Sequence, residues 1–221
     1  MDGIRLFLEQ RGGEVLTGLA QHVYLTAVAM AIAIAVAVPT GLILTRSRRT
    51  ARWVLAVVGI IQTLPSLALV GLMVPLIGAG PKAAIVALFL YALLPIVRNT
   101  YTGVMNVDPA MIEAARGMGM SNTQILFRVQ LPLSVPVIMA GLRTSTVICV
   151  GVATLGGIVG AGGLGLLIWQ GIDRSADTLI YAGAFPAMAL ALVFDYILAQ
   201  GEKTFTPRGI QLQNRSAAQA Q

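Results

Sequence analysis

The chain has 221 residues, of which 57% are hydrophobic and only 11% charged, with a mean hydropathy of +0.82 and a formal net charge of +6. A soluble domain carries roughly 25% charged residues to make a wet surface, so this composition excludes a water-soluble globule and places the chain in a bilayer. The basic residues fall between long uncharged runs rather than on one face, which excludes a nucleic-acid surface and marks them as topology signals.

A bilayer-spanning helix needs about 20 mostly apolar residues. The first such run follows a short charged segment, 1–18, which we place outside the cytoplasm. It is too long and begins too late for a cleavable signal, and reads as a retained span over 19–44. A second span is expected over 53–77, interrupted by Gln62-Thr63-Leu64-Pro65-Ser66, where a kink or a break into two pieces is expected. Further spans are expected over 83–105, 133–155 and 179–200. The tail from 201 to 221 is polar and low in complexity, which predicts disorder.

Orientation follows from arginines. Arg46, Arg48, Arg49 and Arg52 crowd the first loop and mark it as cytoplasmic. Alternation then puts 106–132 inside, with Arg116 and Arg128, and also the tail, with Lys203, Arg208 and Arg215. The expected architecture is therefore all-α and polytopic, with five spans and an external N-terminus. Six spans result if the second is really two helices.

Segment 106–132 predicts two short helices with a turn between. Asp108 is a favourable N-cap, and Pro109 fits the first helical position, where its missing N–H costs nothing. Gly117 and Gly119 stop that helix, and Ser121 with Gln124 three residues on forms a capping box that restarts one. Leu131-Pro132 ends the second helix or leads into the next span. The turn displays Met118 and Met120, flexible and polarisable side chains that suit protein docking. A DNA-reading helix would carry basic and amide residues instead.

These residues carry a resemblance. Glu113-Ala114-Ala115, then Gly119, Leu131 and Pro132 resemble the signature loop of permease subunits of ATP-binding-cassette importers: E-A-A, three residues, G, nine residues, I, one residue, L-P. Val129 replaces the usual isoleucine. The resemblance extends through Gln62–Leu69 (QTLPSLAL), Leu90–Pro95, Arg98–Tyr101, Val107–Ala110 and Gly160–Gly165, and is closest to the osmoprotectant branch, whose solutes are glycine betaine, carnitine, choline and related quaternary amines. It implies a type I importer permease fold in a bacterial or archaeal cytoplasmic membrane, with the loop forming a coupling helix seated on a partner ATPase. By resemblance Glu113, Ala114, Ala115 and Gly119 carry the shape of that loop. A second permease copy or paralogue and an extracytoplasmic solute-binding protein are further implied partners. An amino acid is the alternative solute class, since related permeases share the architecture.

The sequence also contains traps. Gly160-Ala161-Gly162-Gly163-Leu164-Gly165 matches a dinucleotide fingerprint, but that fingerprint needs a strand before it and a βαβ unit. Here Gly160, Gly162 and Gly163 follow a span, and read as close helix contact or a re-entrant turn lining a pathway. No P-loop exists, and the lysines are Lys82 and Lys203, so ATP and Mg are expected on the partner chain and no cofactor on this one. His22 is the sole histidine, so no metal cluster or nucleophile–base pair is proposed, and Cys149 reads as a buried, inert thiol.

Charges at membrane depth need a partner or a wet cavity. Arg143 and Arg98 are candidates to pair with Asp195, fastening spans or gating a path; snorkelling to the interface is the alternative. Tyr91, Tyr101, Trp169 and Tyr181 supply aromatic faces for a cationic ammonium, or serve as interface anchors. A stand-alone ion-coupled transporter is disfavoured, because such proteins usually hold more spans and intramembrane carboxylates.

Overall fold

In hydrocarbon no water satisfies backbone N–H and C=O groups, so apolar runs of this kind fold as helices. The computed structural model describes the backbone of residues 2–205 and the side chains of 11–204. Its helices are α1 (Asp2–Leu44), α2 (Arg48–Thr63), α3 (Ser66–Ile77), α4 (Pro81–Met105), α5 (Pro109–Gly117), α6 (Asn122–Ile125), α7 (Leu131–Ala153), α8 (Leu164–Asp173) and α9 (Asp177–Phe205). A π-helical turn, Leu126–Gln130, joins α6 to α7, and a 3-10 turn, Thr154–Gly157, follows α7.

Four helical stretches are long and apolar enough to cross a membrane: Arg11–Leu44, Pro81–Met105, Asn122–Gly157 and Asp177–Thr204. The pair α2–α3 passes the same test jointly but bends by 96° at its break. At about 1.5 Å per residue, α2 and α3 are about 24 and 18 Å long. Neither alone reaches through about 30 Å of hydrocarbon, so the bent pair makes at most one span; four or five spans fit and six do not. Pro65 sets the break, since it lacks an N–H and disfavours helix at Leu64, which adopts extended backbone with ψ 135°. The Tyr91 hydroxyl donates to the Leu64 carbonyl freed there.

Helix α4 is the axis of the bundle, with 56% of its most apolar window buried. It is flanked by α1 and α7 through small residues. A Cβ on Gly41 of α1 would lie 2.6 Å from Thr100 Cβ, and one on Gly141 of α7 would lie 2.7 Å from Asn99 Cβ. Lipid offers apolar chains no hydrophobic drive to associate, so such backbone-close contacts hold membrane helices together. Ser145 adds a hydrogen bond to the Ala92 carbonyl at 3.0 Å. By contrast, only 11% of the corresponding window of α9 is buried. Its outer face, including Phe185, Leu192 and Tyr196, is exposed and apolar.

Two features depart from the sequence reading, and a third decides between its alternatives. First, α1 begins at Asp2, well before residue 19; the charged segment is helical and continuous with the span, and Arg11 pairs with Glu14 one turn on at 3.7 Å. Second, α9 runs past Gln200 to Phe205, and the predicted disordered remainder lies outside the described residues. Third, of the two readings left open for Leu131-Pro132, the structure takes the second, a lead into the next span. Pro132 cannot donate to the carbonyl four residues back, and the chain absorbs this by widening: Leu131 N–H donates to Leu126 O, five residues back.

Candidate functional site

The segment between α4 and α7 is built almost wholly from local rules. The Asp108 carboxylate accepts from Ala110 N at 2.9 Å and caps α5, with Pro109 at its first position. At the other end Gly119 N donates to Arg116 O at 3.0 Å and Met120 N to Ala115 O at 3.2 Å, the paired bonds of a Schellman motif. That motif requires left-handed backbone after the helix, and Gly119 has φ +81°. Ser121 and Gln124 then form the reciprocal capping box, at 2.8 and 3.3 Å. Ala115 and Ile125 are buried beneath the turn, while Met118 is 75% exposed and Glu113, Ala114, Gly117 and Gly119 are exposed with it. Met120, Leu131 and Pro132 are half-buried. The result is a rigid, open knob with an apolar tip, projecting from the end of the bundle that also carries Arg46.

At membrane depth, Arg143 engages Asp195 bidentately: Nε to Oδ1 and Nη2 to Oδ2, both 2.9 Å. Its Nη1 reaches Glu202 Oε2 at 3.3 Å. The planar guanidinium matches a carboxylate in this geometry, and the pair ties α7 to α9. A cavity of about 460 Å³ lies beside it, lined by Ala140, Arg143, Thr144, Val147, Ile148 and Asp195. Arg98 lies exposed on α4 and takes no part in the pair.

The glycine loop after α7 folds back as a hairpin. The 3-10 turn leads into Gly160, Gly162 and Gly163, with φ of +75°, +78° and +80°, and α8 returns along the bundle. Gly163 N donates to the Gln21 side chain at 2.8 Å, and Gly80 N donates to Val159 O at 2.8 Å. The loop is therefore pinned to α1 and to the α3–α4 turn. Gly160 is exposed, Gly162 half-buried and Gly163 buried.

The four aromatic candidates are not gathered into a cage. Tyr91 is buried in the core with its hydroxyl engaged, Tyr101 packs against the same core, and Trp169 is half-buried on α8. Tyr181 is exposed and meets Phe185 at a centroid distance of 5.7 Å, the one ring pair among the described residues. Sequence reasoning missed α8, and it missed Gln21 and His22. His22 is fully buried, with Nε2 3.0 Å from Val150 O. A carbonyl only accepts, so Nε2 carries the proton. A polar Gln-His pair inside an apolar run was the available signal. Among the described residues no cluster of His, Cys, Asp and Glu has metal-binding geometry, and Cys149 is free and buried.

Comparison with known proteins accords with this geometry. Over 211 residues the chain is 44% identical to the glycine betaine/carnitine/choline transport system permease protein OpuCB of Bacillus subtilis, covering 96% of this chain and 97% of that one. It is 46% identical to the carnitine transport permease protein OpuCB of Listeria monocytogenes over the same shares. With the osmoprotectant import permease protein OsmW of Salmonella typhimurium it shares 42% over 217 residues, 96% of this chain and all of the other. Among solved structures, an inward-facing form of the MetNI methionine ABC transporter superposes with a TM-score of 0.81 at 26% identity, over 90% of this chain and 99% of its counterpart. The fold is thus that of a type I ABC importer permease. Residues 32–203 match the family described as the binding-protein-dependent transport system inner membrane component, and the chain belongs to that family.

Proposed function

We propose that this chain passes a small osmoprotectant of the quaternary ammonium or betaine type across the cytoplasmic membrane, as the permease subunit of an ATP-driven importer. The observation that carries the reading is the knob at 108–124. It is capped at both ends by hydrogen bonds, yet Met118 at its tip is left 75% exposed. Such a device suits transmission of force from another subunit. The names of the relatives supply the solute class.

In this reading two permease copies, or this chain and a paralogue, frame one path. Partner ATPases hold ATP and Mg and seat the two knobs, and this chain carries no cofactor. A solute-binding protein delivers from outside. ATP-driven closure moves the knobs, and α7 and α9, fastened by Arg143–Asp195, move as a unit toward the outward-open state. The resemblance to a methionine transporter favours an amino acid as the second solute class.

Co-purification with the ATPase subunit of an ATP-binding-cassette importer from the same organism tests the reading, comparing wild type with Gly119→Asp. Wild type retains the ATPase and the variant loses it. Uptake of labelled glycine betaine, choline, carnitine and methionine by the assembled system then assigns the solute. Retention of no ATPase by wild type would overturn the coupling role, and methionine-only uptake would overturn the osmoprotectant class.

A further inference from the structure

We propose that a pocket between the end of α1 and the coupling segment binds a phosphate group, carried by an anionic phospholipid of the adjoining leaflet. The cavity, about 470 Å³, is lined by Arg46 beyond α1 and, across from it, by Arg116, Asn122, Thr123, Leu126 and Gln130 among others. No Asp or Glu lines it. Among the described residues neither Arg46 nor Arg116 has a carboxylate partner, and the Asn122 and Thr123 side chains make no hydrogen bond. Gln130, by contrast, is already committed, donating to Val104 O at 3.3 Å. Two guanidiniums facing one cavity repel each other unless an anion lies between them. The forked donors of arginine match phosphate oxygens bidentately, and the free amide and hydroxyl supply neutral donors beside them.

The position of the pocket selects the carrier. The first apolar span ends at Leu44, two residues before Arg46. Ile43, 61% exposed, lies one turn below Arg46, and Phe127, 55% exposed, adjoins Leu126. Apolar surface therefore flanks the cationic cavity at the level where a lipid changes from acyl chain to headgroup. A free anion would gain nothing from that surface. Arg48, Arg49 and Arg52 lie close by in sequence and raise the local concentration of anionic lipid, but they do not line the pocket. A headgroup held here bridges the first turn of the permease to α5 and α6, and so anchors the coupling segment to the membrane surface. That consequence rests on the coupling role above; binding itself does not.

Native mass spectrometry of the full transporter complex tests binding, with phosphatidylglycerol, phosphatidylcholine and inorganic phosphate as probes. Wild type is expected to retain phosphatidylglycerol in preference to phosphatidylcholine. Arg46→Gln/Arg116→Gln should lower that retention about 30-fold, from two lost basic contacts near the membrane surface. Arg48→Gln/Arg49→Gln, which removes equal charge outside the pocket, should keep most of it. Arg46→Lys/Arg116→Lys should fall between, which separates loss of the site from loss of folding. Equal retention by wild type and the Arg46/Arg116 variant overturns the site. Equal loss in both double glutamine variants overturns it too, in favour of diffuse attraction. Arginine-dependent binding of inorganic phosphate without lipid retention overturns the lipid as carrier and assigns the site to a soluble phosphate. Lipid binding in a complex that shows no transport would sink the permease reading and leave this one standing.

Discussion

Two glycine turns close the two ends of this molecule; both use left-handed backbone, and one of them also needs glycine for close packing. At Gly119 a Cβ would meet nothing within 4 Å, and only the left-handed backbone, φ +81°, asks for glycine. At the opposite end a Cβ on Gly165 would lie 1.8 Å from Thr154 O, and one on Gly157 would lie 2.5 Å from the Gly165 carbonyl carbon. The first turn is shaped by its own torsions and surrounded by open space. The second has left-handed torsions of its own at Gly160, Gly162 and Gly163, and adds to them backbone pressed on backbone at Gly157 and Gly165. The knob therefore leaves its surroundings open, as the proposed docking requires, while the glycine hairpin is a packed joint inside the permease.

The sharpest break in that comparison is Gly165→Ala. One methyl group must displace a backbone carbonyl, and overpacking of this kind costs about 3 kcal/mol. We expect a large fall in the thermal midpoint of the detergent-solubilised protein and poor membrane yield. A midpoint equal to wild type would show that α8 is free to slide, and the hairpin would not be a joint.

Next in size is Asp195→Asn. Arg143 would keep Glu202 at 3.3 Å but lose its bidentate partner, leaving a poorly matched charge between α7 and α9. We expect lower thermal stability and reduced uptake, with ATPase co-purification kept, because the pair lies away from the knob. Arg143→Met/Asp195→Leu should recover part of the stability, since it removes both charges of the bidentate pair together while Glu202 loses its contact with Arg143. If Asp195→Asn melts and transports like wild type, the pair fastens nothing.

How much of this was legible in the sequence tracks the distance over which each feature is decided. The knob was readable because cause and effect lie within five residues: Asp108 with Ala110, Gly119 with Arg116, Ser121 with Gln124. The broken span was readable for the same reason, from Leu64-Pro65. The hairpin was only half readable. Its glycines announced an irregular backbone, but Gly163 finds its acceptor in Gln21, 142 residues away, and no local pattern encodes that contact. Helix α8 was missed because ten residues fall below any span-length window. Arg143 and Asp195 were visible as charges in apolar runs, yet the choice of Arg143 over Arg98 is made by helix rotation, which composition does not reveal. Continuity through Leu131-Pro132 was left open because a π-turn, rather than a helix end, accommodates the proline.

Gly119→Val should have a smaller effect on the chain itself. A β-branched residue forced into left-handed backbone costs roughly 1–2 kcal/mol, and that cost falls on an exposed turn whose local opening leaves the bundle intact. The global melting transition should move little, while ATPase co-purification should drop sharply. Gly119→Asn, which tolerates left-handed backbone, should retain the ATPase better than Gly119→Val. Equal loss in both would mean that a side chain of any kind clashes with the partner, and that open space rather than torsion is what the glycine protects.

Met118→Ser should be smallest for the fold and still visible at the partner. The side chain is 75% exposed, and substitutions at such positions usually change stability by less than about 0.5 kcal/mol. No cap or buried contact depends on it: the Schellman bonds run through backbone atoms of Ala115, Arg116, Gly119 and Met120. If the exposed methionine is the apolar tip that enters a partner groove, its loss should cost more than about 1 kcal/mol of docking, as truncated contacts at the centre of an interface do. A titration of ATPase against the permease in nanodiscs would read this as at least a fivefold weaker affinity with an unchanged melting curve. Unchanged affinity would move the docking surface off the tip and onto the α5 face that carries Glu113 and Ala114. The knob would then be gripped from its side, and Gly119 would serve to clear the way.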